Sequence, residues 1–152
     1  MSIAASLHIL AALIWVGGMF FAHMVMRPVL VDQLEPPQRL PVFYGVFRRF
    51  FPWVWACVVT VLGSGYWMLF STFGGMKGSP VYLHIMSGLG LLMAIIFTII
   101  WLFPYRAMGR AVAEQQWPVA AGQLARIRLL ITVNLGLGLI VSVVAVGGRW
   151  WV

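Results

Sequence analysis

A chain of 152 residues that is 62% hydrophobic and only 9% charged lies far below the roughly 25% charge of soluble domains and falls in the membrane class. Its net charge of +7 does not indicate a nucleic-acid surface, because the arginines gather in two connections between apolar runs, as membrane topology requires. The single cysteine, Cys57, excludes an intramolecular disulfide.

A helix needs about 20 apolar residues to cross the hydrocarbon core. Four stretches meet this: residues 3–26, 53–73, 81–103 and 127–146. The first has no basic leader and is long enough to be a retained span. Arg27, Arg39, Arg48 and Arg49 follow it, and Arg106, Arg110, Arg126 and Arg128 lie between the third and fourth stretches. The opposite side holds Lys77 and Arg149. The positive-inside rule therefore predicts a multi-pass membrane protein with both arginine-rich loops cytoplasmic and both termini on the other side, in contact with the lipid bilayer and its anionic headgroups.

Residues 35–53, rich in proline, arginine and aromatics, suit a segment lying along the headgroup layer before the second span enters. Residues 106–128 read as a short helical hairpin turning at Gln116-Trp117-Pro118, with Pro118 in the first turn of the returning helix. Cys57 reads as a small buried residue. Neither connection carries a phosphate-binding glycine loop, a Ser-His-Asp set or a carboxylate pair.

The two halves resemble each other. Leu62, Gly63, Gly65, Gly74 and Gly75 recur 73 positions later, and His8 recurs as His84 with an offset of 76. The expected fold is all-α: one four-span domain, built as a bundle from two parallel helical-hairpin repeats. Gly63, Gly65, Gly136 and Gly138 should face neighbouring helices. Asn134, Gly138 and Ser142 share one face of the last span, expected to point inward.

His8 and His84 both lie near the outer end of their spans, within roughly 8 Å of the boundary. At 100° per residue His8, Ala12, Trp15, Met19, His23 and Met26 make one stripe, and His84, Gly88, Leu91 and Ile95 another. If both stripes face inward, His8 and His84 can hold one haem b iron from opposite helices, with Lys77, Tyr82 and Arg149 near the propionates. His23 lies about 22 Å along the helix from His8 and cannot share that metal. Together with Met24 and Met26 it makes a soft set suited to Cu(I), although such methionines also serve as core filler.

The first span, "LHILAALIWVGGMFFAHMVMRPVL", resembles that of the CopD (copper resistance D) family of bacterial inner-membrane proteins in its LH, its W-x-G-G and its inward histidine. The segments "FFPWVWACVV" and "ARIRLLITVNLGLGL" are similar to later spans of small members. This resemblance implies copper binding or import. A more distant one, carried by the LH motif, is to HemJ-type protoporphyrinogen oxidases, which implies haem; those proteins rely on a lysine in the third span, and this third span has none. Two readings follow. The favoured one is a one-haem redox protein working with a quinone or periplasmic redox partner. Its rival takes copper at His8 and His84 and releases it near His23, Met24 and Met26. A cofactor-free scaffold is a third reading, and a homodimer a further expectation.

Overall fold

The computed structural model describes residues 2–150, and Arg149 by its backbone alone. Four helical stretches, Ser2–Gln33, Pro36–Phe73, Val81–Ala113 and Trp117–Gly147, are long and apolar enough to cross a membrane. Among the described residues there is no strand. The protein is an all-α membrane bundle.

The first stretch is composite: α1 (Ser2–Phe20), a π-helical turn (Phe21–Met26) and α2 (Arg27–Gln33). Pro28 has no N–H, and in a regular helix its ring would press on the carbonyl four residues back, that of Met24. The widened turn immediately before it absorbs that conflict. The second stretch is the single helix α3 (Pro36–Phe73), which opens on two prolines and contains Pro41 and Pro52. It ends where Gly74 adopts φ +67° and donates its N–H to Phe70 O at 3.0 Å, a left-handed cap that glycine takes without steric cost.

α4 (Val81–Leu102) breaks at Phe103, which Pro104 excludes from helical geometry, and α5 (Pro104–Ala113) resumes the direction. After a turn over residues 114–116, in which Gln115 has φ +56°, α6 (Trp117–Gly147) returns with Pro118 in its first turn. That hairpin is as expected.

α1 packs along α3, α4 along α6, and α5 folds against α6. α3 and α6 also touch across the middle, whereas α1 and α4 have little contact. The bundle is thus a flattened one with α1 and α4 at its far corners. An aromatic ladder fills the arginine-rich end. The rings of Phe47 and Phe51 stack at 5.2 Å, and Tyr105 meets Phe51 edge-on at 4.9 Å. Phe97 lies 5.3 Å from Phe51 and 5.1 Å from Trp55. Each such pair is worth about 0.5–1.5 kcal/mol beyond its buried area.

Three expectations need correction. Residues 36–53 are not a separate segment on the headgroup layer: they are the first half of α3, whose buried residues Leu40, Phe43, Phe47, Phe51 and Val54 keep one helical face through Pro52. The stripe His84, Gly88, Leu91 and Ile95 is exposed along its whole length. The buried side of α4 is the opposite one, centred on Met93, Phe97 and Ile100. Of the four glycines, Gly65 lies under the His8 ring and Gly138 against Val16 and Met93, but Gly63 and Gly136 have no side-chain neighbour within reach of a Cβ. On the last span Asn134 and Gly138 are buried as expected, and Ser142 is exposed, donating to Gly138 O at 2.7 Å.

Candidate functional site

The stripe predicted for the first helix faces inward: Trp15 and Met19 are buried, and His8, His23 and Met26 are half-buried. What its histidines can do depends on where their protons go. The Ser64 hydroxyl donates to Thr60 O, within its own helix turn. His8 Nδ1 lies 3.0 Å from the same hydroxyl oxygen, and which of the two groups donates there depends on the imidazole tautomer.

Thr132 Oγ1 donates to Arg128 O at 2.8 Å and lies 3.3 Å from His23 Nε2. His84 Nδ1 lies 3.2 Å from Pro80 O, which can only accept, so the imidazole is the donor there. Each imidazole thus has one ring nitrogen beside a hydroxyl or carbonyl of the protein, a kind of contact that also orients metal-binding histidines.

His8 and His84 make no common contact. His8 turns from α1 to α3, and His84 is exposed on α4, bonded within its own helix turn. The space that a flat macrocycle between α1 and α4 would occupy is crossed by contacts between α3 and α6. The haem b expectation finds no support in this geometry, and neither do its accessory residues. Lys77 is exposed in the short turn Met76–Gly78, Tyr82 packs against Gly148, and the Arg149 side chain lies outside the described residues. Among the described residues no group of three or more His, Cys, Asp or Glu is placed to hold a metal ion.

At the arginine-rich end a cavity of about 240 Å³ opens between the π-helical turn, the start of α3 and the start of α6. His23 and Met26 line it together, whereas Met24 is 54% exposed and points away. Arg27, Arg39 and Arg128 line it too, and no carboxylate does. A second, smaller cavity of about 10 Å³ lies deeper in the bundle, with Trp15, Met19 and Asn134 on its wall, and Ile131 separates the two. Asn134 is 1% exposed. It donates Nδ2 to Met93 O at 3.3 Å, and its buried Oδ1 has no partner among the described residues. Cys57 is a buried free thiol.

Sequence reasoning did not find Ser64, Thr132 or the cavity arginines, since each works through a contact between helices that no spacing within one helix reveals. Residues 44–147 match the family Copper resistance protein D, CopD. The chain belongs to the CopD family. The match takes in His84, Ser64, Thr132 and Asn134 and begins after the first helix, which carries His8, His23 and Met26. No curated protein and no solved structure is detectably similar to this CopD-family chain.

Proposed function

We propose that this CopD-family chain conducts cuprous copper across a membrane, with the ion as its cargo. The observation that carries the reading is that His8, His84 and His23 each have one ring nitrogen beside a hydroxyl or carbonyl of the protein, an arrangement that suits the other nitrogen to a metal. Membership of the copper resistance family makes copper the metal to test first.

The inward stripe of the first helix supplies the rest of the path. An ion taken at His8 Nε2, at the end of the bundle that carries Lys77, next meets the thioether of Met19 and the free Asn134 Oδ1 on the small inner cavity. It then reaches His23 Nδ1 and Met26 on the larger one. Imidazole and thioether are soft donors that favour Cu(I) over hard divalent ions. Three guanidinium groups around His23 oppose a resident cation, so this end is suited to release. We place it on the cytoplasmic side of a bacterial inner membrane, because eight of the arginines lie at that end.

The test is Cu(I) uptake into proteoliposomes of the purified chain, read by a chromogenic chelator trapped inside. Wild type should fill the chelator, while His8→Ala and His23→Ala should lose most of the rate. Uptake equal to empty vesicles defeats the proposal. So does a purified protein with a Soret band and sharp reduced α and β bands that vanish in His8→Ala, which would restore the haem reading.

A further inference from the structure

Arg27, Arg39 and Arg128 come from three different helical segments and line one cavity. The chain contains only Asp32, Glu35 and Glu114 as acids, and none of them lines it. Arg39 gives Nη1 to the carbonyls of Val31 and Leu34, at 3.5 and 3.4 Å, which ties it to the turn between α2 and α3. The rest of its planar fork carries further donors. Arg27 and Arg128 have no protein acceptor among the described residues. Three like charges on one concave wall repel each other, and each is a better bidentate partner for a phosphate than for water.

The rest of the lining is of another kind. Leu40, Phe43 and Phe47 are buried to within 4% of full coverage and line the same cavity, joined there by Leu124 and Ile131. A small inorganic anion would satisfy the guanidinium groups and leave this apolar wall uncovered. A phosphate that carries an acyl chain satisfies both. We infer that the cavity is a binding site for one anionic phospholipid, with the phosphodiester on Arg27, Arg39 and Arg128 and the upper part of an acyl chain along Phe43 and Phe47. The inference does not rest on the copper reading, because its chemistry is complete without any metal.

The experiment is native mass spectrometry of the full chain, purified in detergent and mixed in metal-free buffer with phosphatidylglycerol, phosphatidylcholine or inorganic phosphate. Wild type should retain one phosphatidylglycerol at collision energies that strip phosphatidylcholine, and inorganic phosphate should not displace it. Arg27→Gln/Arg128→Gln should cut retention at least tenfold. Arg27→Lys/Arg128→Lys should restore part of it, which separates loss of charge from misfolding. The pair Arg110→Gln/Arg126→Gln removes equal charge outside the cavity lining and should leave retention unchanged. Equal loss in that control would overturn the site, as would equal retention of phosphatidylcholine. Displacement by inorganic phosphate would overturn the lipid assignment.

Discussion

His8 Nδ1 lies 3.0 Å from Ser64 Oγ. Ser64→Ala removes the oxygen that orients the imidazole, without touching a proposed ligand. Losing such an outer partner commonly costs 10–100-fold in metal affinity, so Cu(I) affinity at His8 should fall at least tenfold in competition with a chromogenic chelator. Ser64→Thr keeps the hydroxyl and should keep the affinity. If Ser64→Ala binds as wild type does, the imidazole is not held by this contact. Asn134 allows a different separation. Its Oδ1 has no partner among the described residues and lies beside Met19, so Asn134→Leu should slow proteoliposome uptake severalfold while Cu(I) affinity at His8 stays as it was. Loss of both together would point to a folding defect in place of a step on the path.

At the scale of the helices, the W-x-G-G stretch divides its two glycines between unlike roles. A Cβ on Gly18 would overlap the ring of Phe50 on α3, whereas one on Gly17 meets nothing within 4 Å. Gly18→Ala must push a rigid ring out of a packed interface, at a cost of about 1–3 kcal/mol. Gly17→Ala should be neutral. Thermal unfolding in detergent checks both, and equal midpoints would mean that α1 does not approach α3 as closely as described. The same contrast marks what the sequence made legible. Four spans, a hairpin between the last two of them (its turn expected at residues 116–118 and found at 114–116) and the inward side of the first helix could all be read from apolar length, proline placement and the row from His8 to Met26. The facing of α4 could not, because lipid is as apolar as the interior and a membrane helix shows no polar side to reveal its orientation. His84 therefore read as a partner of His8, when only the packing of Met93 and Phe97 shows that it turns outward. The cavity arginines were visible as charge, but they read as topology until three segments brought them together.

Over the whole molecule, direction of transport and placement of the arginines are one question. The ends of the bundle differ sharply in charge: Arg27, Arg39, Arg48, Arg49, Arg106 and Arg110 lie toward one, with Arg126 and Arg128, and Lys77 toward the other. Retention of basic connections on the cytoplasmic side would put the His8 end outside and the guanidinium cavity inside, the orientation that we propose. The direction of the proposed copper path follows from this. Single cysteines in a Cys57→Ala background test it. Lys77→Cys lies in the exposed turn between α3 and α4, and Glu114→Cys in the exposed turn between α5 and α6. In intact cells a membrane-impermeant maleimide should label Lys77→Cys fully, and should label Glu114→Cys only after the inner membrane is permeabilised. The reverse pattern would turn the molecule over. The arginine cavity would then face the side on which copper arrives, and three guanidinium groups at the entrance would repel the ion that the path is proposed to admit.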